Sequence, residues 1–473
     1  MENWLDIYSE VLNAKLYEIK RNTGVILGFN VNIDKIIKID SNIISRIIPP
    51  EIVDQIDLEQ NSTYTIIENK TDFLSCLLQS IRYERADEVL TNSQKLCDWI
   101  EETFKIEESK IGGQAGIIAN LYNEIGMEKI LLSLPQLNKE LYSLLNPNIL
   151  TISEQDTSYS INKISLPNSA VTLPIYHYVF EFAPGSYTVG NYKIENKRFN
   201  RFILSHDLLN TRMEFSKGLL EHCDDFINEY PLAVISGFHL INKTMNSSIS
   251  FSDILWPIKS LLMRWRELNP DLCIHLELAS TRDIELRRTI VRVLFQLVDS
   301  IGLNEQELIL FVEIISPKLA DDLRRSFTPV SVFNALKQIF DEYPNLRIHF
   351  HYLGYFMILS KQITNNFARK RRNGLILASL LAATKVKGPS IMNLEEVEDV
   401  HLEISNEGLK DLERVYQHIE VNYSEGDTPN QTGIFHSSYF SFVGVPTIVV
   451  DNPKRTVGLG DLISSISILY ESQ

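Results

Sequence analysis

The stretch DLCIHLELASTRDIELRRTIVRVLFQLVDSIG (271–302) opens with a short apolar run, DLCIHLELA, that has the length of a buried strand. It continues as RDIELRRTIVRVLFQLVDSIG, which reads as a helix. The same texture surrounds it. PLAVISGFHL (231–240), LILFVEII (308–315), LRIHFHYLGYFMIL (346–359) and VPTIVVDNP (445–453) read as further strands, with helical stretches between. Upstream, VILGF (25–29) is a strand broken by Gly28 before the polar tip NVNID (30–34). GGQAGIIANLYNEIG (112–126) is a glycine turn feeding a helix, and KILLSLP (129–135) returns to the strand pattern. Strand alternating with helix predicts a mostly parallel sheet covered by helices. Such sheets bind ligands beyond the carboxyl ends of their strands, which is where the polar tips fall.

Between about 159 and 205 the texture changes. TSYSINKISL (157–166), YHYVFEFAP (176–184), YTVGNYKIE (187–195) and NRFILSHD (200–207) are short, near period two, and predict a small antiparallel or mixed sheet. Residues from about 50 to 110 read as helical, most clearly LEQNSTYTIIEN (58–69) and DFLSCLLQSIRYERADEVL (72–90). A chain of 473 residues has room for two domains, or for one large domain with a lid.

With 61 acidic and 45 basic residues the net charge is −16, which argues against nucleic acid as the main partner. A locally basic site for an anionic small molecule stays open. The opening MENWLDIYSEVLNAKLYEIK (1–20) reads as an amphipathic helix, without the basic start and apolar run of a secretory signal. No later run has the roughly 18 apolar residues of a membrane span. A cytoplasmic enzyme is expected, or one of the endoplasmic reticulum if a leading signal has been trimmed. Cys76, Cys97, Cys223 and Cys273 form no metal-like cluster and read as buried free thiols.

In VGLGDLISSISILY (457–470) the glycines can bring backbone N–H groups to an anion, and the helix that follows offers its positive end. Asp461 beside that anion would take the proton of an attacking hydroxyl; the same residue also reads as an N-cap after a tight turn. The spacing matches neither GxxxxGK[ST] nor GxGxxG. In GLNEQEL (302–308), Asn304 and Glu307 lie one helical turn apart and could face a hydrated magnesium ion, with Glu277 of HLELAS (275–280) as a second carboxylate. A helix cap and a solvent-facing glutamate are the alternative. Asn32 and Asp34 fall on one side of an extended tip and, with Gly113 and Gln114, suit sugar hydroxyls; an Asx turn also fits. Arg201 is either a phosphate clamp or an arginine lying over apolar surface. His349 and His351 lack a third ligand for zinc and read as core-edge or nucleotide-contacting residues.

GFNVNID, GGQAG, NRFILSHD, HLELAS, GLNEQEL, RIHFHYLGY and TVGLGD stand here in one order. In that order they resemble the ADP-dependent sugar kinases, the glucokinase and phosphofructokinase branch of the ribokinase-like superfamily, over roughly residues 24 to 470. The wording is most similar to the animal glucokinases of that family. The resemblance implies Asp461 as catalytic base, with Gly458, Leu459 and Gly460 as the anion hole. It implies Glu277 and Glu307 as the residues that place Mg²⁺, largely through water, with Asp461 and Asn304 beside them. Arg201 would bind the ADP phosphates from the lid, and His351 and Val450 would contact the nucleotide together with Asn304 and Gly460. Asn32, Asp34, Gly113, Gln114 and His177 would line the glucose site. Glu88 in ERADEVL (84–90) would select glucose, because a carboxylate repels the phosphate of fructose 6-phosphate; Glu84 is the neighbouring rival.

The expected fold is thus α/β: a ribokinase-like three-layer domain around a mostly parallel sheet, plus a smaller α+β lid domain. Residues 1–39 would begin the large domain, 40–110 supply a lid segment, 111–158 return to the large domain, 159–205 form the lid sheet and 206–473 complete the large domain. The expected reaction is ADP plus D-glucose to AMP plus glucose 6-phosphate, in a monomer. The rivals are an ADP-dependent 6-phosphofructokinase of the same fold, an ATP-using relative, and an inactive binding protein.

Overall fold

The computed structural model describes every residue except 1–3, 14–22, 49–55, 57–64, 137, 153–158, 161–172, 191, 244–248, 388–401, 424–432 and 451–457. An eleven-stranded sheet runs, neighbour to neighbour, through Ile434–His436, Phe440–Pro446, Tyr355–Lys361, Arg347–Tyr352, Ser300–Leu303, Cys273–Glu277, Leu232–Ile235, Val25–Gly28, Ile130–Leu132, Leu150–Thr151 and Tyr159–Ser160. From Arg347–Tyr352 through Leu150–Thr151 the pairings are parallel, and at both ends they turn antiparallel.

Successive residues of the central strands enter opposite cores. Ile26, Ala233 and Ile235 join one cluster with the helices Phe251–Leu268, Ile284–Leu294, Glu305–Ile315 and Pro329–Glu342. Val25, Leu27, Leu232 and Val234 join the other, with Gln114–Glu124, Asn365–Lys387 and Leu459–Ser472. Strands buried on both faces need no polar alternation, which is why they read as unbroken apolar runs. The three-layer α/β architecture agrees with expectation. The N-terminal helix, described over Trp4–Asn13, packs Ile7, Tyr8 and Val11 into the second core.

A second, five-stranded mixed sheet pairs Asp87–Leu90, Asn200–Asp207, Ile175–Phe182, Asn32–Ile39 and Glu108–Gly112. Phe180, Phe182, Phe202 and Leu204 on one face bury against Lys70–Arg82 and Gln94–Thr103, with the Phe73 ring 5.0 Å from that of Phe180. A hairpin, Gly185–Val189 with Tyr192–Asn196, covers the same core.

Several expectations need correction. LILFVEII is helix, not strand: Asn304 caps it, and Leu308, Phe311 and Val312 bury at helical spacing. An all-apolar run carries no period of its own, so the cap decides. The strand lies just before it, Ser300–Leu303, in residues read as the end of a helix. Near the C-terminus the strand is Phe440–Pro446 and stops as VPTIVVDNP begins. Within LEQNSTYTIIEN the described residues 65–69 are not helical; Ile66 bridges to Leu90. DEVL (87–90) is likewise strand. The boundaries between the two sheets also differ from expectation. Residues 32–39 pair in the small sheet, whereas Tyr159–Ser160 pairs with the large one, because partner strands far along the chain settle which sheet a short segment joins. The cysteines are free, three of them buried. Among the described residues no helix is long and apolar enough to cross a membrane.

Candidate active site

The small sheet has two unlike faces because side chains alternate along each strand. Opposite the phenylalanine core, Ser205 and Asp34 flank His177 in register on the two neighbouring strands, and Arg201 and Asp207 share the strand face of Ser205. Glu88 joins them from the edge strand: its Oε1 accepts Ser205 Oγ–H at 2.7 Å and lies 3.6 Å from His177 Nδ1. His177 Nε2 stands 3.2 Å from Asp207 Oδ2. Burial opposes a charged His177, but Asp207 and Glu88 outweigh it and push the imidazole up to about 9. Burial opposes a charged Glu88 as well, yet His177, His239 and Ser205 hold it below the ordinary glutamate range. Asp34 moves the other way, raised by burial, and accepts from Asn32 Nδ2 at 2.7 Å. Gly112 allows this packing, since a Cβ there would strike both the Asn32 and Asp34 side chains.

Glu84 is elsewhere. Its Oε1 accepts the Lys197 backbone N–H at 2.9 Å, and its Oε2 is 3.7 Å from Arg198 Nε. Of the two glutamates only Glu88 belongs to the polar face. Arg201 lies on that face, and among the described residues its guanidinium has no hydrogen-bond partner.

The large domain meets this face with the tips of its strands. Gly458, at φ 67°, turns the chain into the helix Leu459–Ser472 and puts Asp461 in its first turn. Gln114 Nε2 donates to Asp461 Oδ1 at 2.7 Å, while Gln114 Oε1 accepts the Gly237 N–H at 3.1 Å. Two residues on, His239 Nε2 is 3.9 Å from Glu88 Oε2. A polar line thus joins Asp461 to Glu88 across the two sheets. Burial raises the Asp461 carboxyl above the ordinary aspartate range, against Gln114, Lys385, His239 and Arg201. A Cβ on Gly113 would stand 2.5 Å from the Asn30 carbonyl oxygen, which receives the N–H groups of Ala115 and Gly116.

His351 sits under the start of the same helix, buried and lowered to about 4 by that burial. A Cβ on Gly460 would stand 2.7 Å from His351 Nε2. Gly460→Ala should therefore lower stability by about 1–3 kcal/mol through overpacking and displace the helix start. Urea unfolding against Gly458→Ala, whose added Cβ meets ordinary 3.4 Å space but a strained φ, would separate crowding from backbone strain.

Asn304 and Glu307 form a reciprocal capping box: Asn304 Oδ1 accepts the Glu307 N–H at 3.0 Å, and Glu307 Oε2 accepts the Asn304 N–H at 2.9 Å. The cap alternative is therefore realised at Asn304. Glu307 is nonetheless buried and pushed up to about 8, chiefly by burial and further by the Asp461 charge. Glu277, 3.1 Å from His275 Nε2, is raised well above the glutamate range by burial, Asp461 and Glu307. Among the described residues no three His, Cys, Asp or Glu side chains converge as direct ligands. Buried carboxylates that oppose one another's ionisation are what a hydrated divalent cation would relieve, so the donor set fits Mg²⁺ through water. Val450 packs against the second core beyond the sheet, and Asp451 to Val457 lie outside the described residues.

Three members of the candidate site were not singled out from sequence. Ser205 and Asp207 alternate with residues of the apolar core in NRFILSHD, and that alternation was their signal. His239 follows a strand end, in SGFHL, and had none beyond its position.

The conserved region of the ADP-specific phosphofructokinase/glucokinase family matches residues 23–470. The chain is 28% identical to the ADP-dependent glucose/glucosamine kinase of Pyrococcus abyssi over 99% of both chains. It is 25% identical to the ADP-specific phosphofructokinase of Methanosarcina acetivorans, over 98% of this chain and 96% of that one. A solved structure described as an ADP-dependent kinase complex with fructose-6-phosphate and ADPβS superposes with a TM-score of 0.82 at 23% identity, over 100% of this chain and 98% of that one.

Proposed function

Because the chain belongs to the ADP-specific phosphofructokinase/glucokinase family, we propose that this ADP-dependent sugar kinase transfers the β-phosphoryl group of magnesium ADP to the 6-hydroxyl of D-glucose. The products are AMP and glucose 6-phosphate. Glu88 carries the choice of sugar. It lies on the polar face with Asn32, Asp34 and His177, and its partners hold it ionised. An anionic carboxylate there accepts a hydroxyl and repels a sugar phosphate. The glucosamine in the name of the Pyrococcus relative would also suit an acidic face.

Asp461 takes the proton of the attacking hydroxyl. Backbone N–H groups at Gly458, Leu459 and Gly460, together with Arg201, receive the charge of the transferring group. Glu277 and Glu307, with Asp461 near them, would hold Mg²⁺ largely through water; the ion, when bound, supplies further neutralisation of the phosphoryl oxygens. His351 and Val450 border the nucleotide. The small sheet acts as a lid whose closure keeps water from the phosphoryl group. One chain supplies every described residue of the face, so the proposed enzyme works as a monomer, and the cytoplasm is its proposed location.

The second reading, fructose 6-phosphate as acceptor, is favoured by the phosphofructokinase name of the Methanosarcina relative at similar identity. A grid of ADP or ATP against glucose, glucosamine or fructose 6-phosphate, read by product mass, separates them. AMP and glucose 6-phosphate from ADP plus glucose alone is the expected result. Preference for fructose 6-phosphate would overturn the acceptor assignment. Glu88→Gln should raise KM for glucose roughly tenfold or more and weaken exclusion of fructose 6-phosphate. An unchanged sugar preference in that variant would remove Glu88 as the selector.

A further inference from the structure

Asp207 is fully buried at the end of its strand, and no motif role includes it. A buried carboxylate persists where its oxygens are satisfied. Oδ1 accepts the Asn210 backbone N–H at 3.0 Å; Oδ2 accepts the Asn210 side-chain amide at 2.6 Å and faces His177 Nε2 at 3.2 Å. The same amide donates to the Val31 carbonyl at 2.9 Å, one residue before Asn32. Asp207 is therefore held from two sides and cannot turn away from the imidazole. The other ring nitrogen, Nδ1, is 3.6 Å from Glu88 Oε1, too far for a good direct hydrogen bond. A ligand hydroxyl can be received there.

We propose that Asp207 is a positioning residue for the acceptor sugar, holding Nε2–H of His177 so that Nδ1–H is presented toward Glu88 and the ligand. The proposal rests on this polar face being the sugar site. The charged and titratable groups around the ring are Glu88 on the edge strand, Asp34 on the neighbouring strand, Asp207 itself, His239 from the large domain, and Arg201 farther along. The carboxylates keep both ring nitrogens protonated, in keeping with a ring pushed up to about 9.

Asp207→Asn preserves the volume and, through Oδ1, the cap on Asn210. Its amide N–H₂ would take the place of Oδ2, losing the bond from the Asn210 side-chain amide and facing Nε2, which accommodates only a ring that has lost the proton there. KM for the sugar should rise about 10- to 100-fold, with kcat and KM for ADP much less affected. In the variant, the fall of kcat/KM for the sugar with rising pH should move to lower pH, because burial still opposes the charged ring and the Asp207 charge is gone, whereas the native profile stays level to about pH 9. His177→Gln removes the same interaction, so adding Asp207→Asn to it should change sugar KM no further. Nitrogen NMR of the native protein at pH 7 should show both ring nitrogens of His177 protonated. Additive effects in the double variant, a level profile in Asp207→Asn, or a neutral native ring bearing its proton on Nδ1 would each overturn the proposal. The kinetic arms use whichever sugar turns over, so a preference for fructose 6-phosphate defeats the glucose assignment while leaving this test intact. Without turnover of any sugar, the NMR result decides alone.

Discussion

Asp461→Asn is expected to lower kcat by about 10²- to 10⁴-fold with little change in KM for either substrate. The substitution keeps the side-chain volume and an oxygen that can still accept from Gln114 Nε2, now 2.7 Å from Asp461 Oδ1. It removes the ability to take a proton. Burial raises the native carboxyl, which brings its basicity closer to working pH, where a general base is most effective. The sign follows. Native kcat should fall as pH drops through a value above the ordinary aspartate range, as the base becomes protonated. The residual activity of Asp461→Asn should lack that acid limb. Near-normal turnover of a folded variant would sink the assignment and leave Asp461 as an acidic first-turn residue held by Gln114, since Gly458 occupies the N-cap position.

The largest stability effect is expected at the far end of the same helix. Glu471 is buried and receives Arg347 Nε at 3.0 Å and Arg371 Nε at 2.9 Å, while Arg347 also reaches Ser467 Oγ at 2.8 Å and Ser300 Oγ at 3.1 Å. These bonds tie the helix Leu459–Ser472 to the strand Arg347–Tyr352 and the helix Asn365–Lys387. Glu471→Ala leaves two buried guanidinium groups without their shared anion and should cost about 3–5 kcal/mol. Burial opposes ionisation of Glu471, but Arg347 and Arg371 outweigh it and hold the carboxyl below the ordinary range. Its contribution should thus be full above about pH 4.5 and vanish as pH falls through the lowered value. Chemical unfolding of native protein and variant at pH 7 and pH 4 checks both points; equal stabilities at pH 7 would show the network to be neutral. Because the helix begins at Gly458, loosening its base should also lower turnover.

Much of the candidate site was legible because single residues carried the proposed chemistry. Asp461 after paired glycines, alternate Asn32 and Asp34, and Glu277 at a strand end could each be named from local pattern, though each admitted a plainer role. At Asn304 the plainer role is the one present, a capping box, and its partner Glu307 is nevertheless buried beside the acidic set. Local spacing could not tell Glu84, just before one short strand, from Glu88 within it; their partners lie 113 and 117 positions away, at Lys197 and Ser205.

The sequence by itself determined the layered α/β design, because buried parallel strands must be apolar on both faces and the helices between them must carry one apolar stripe. It also marked the two-faced strands Ile175–Phe182 and Asn200–Asp207 through a pattern near period two. Only the tertiary structure decided that Tyr159–Ser160 joins the large sheet, that residues 32–39 leave the large sheet for the small one, and that Asp207 and His239 stand at His177 and Glu88. The physical reason is common to all three. A short strand is placed by the strand it pairs with, and a buried polar side chain is defined by the partner that satisfies it, and here those partners arrive from distant parts of the chain.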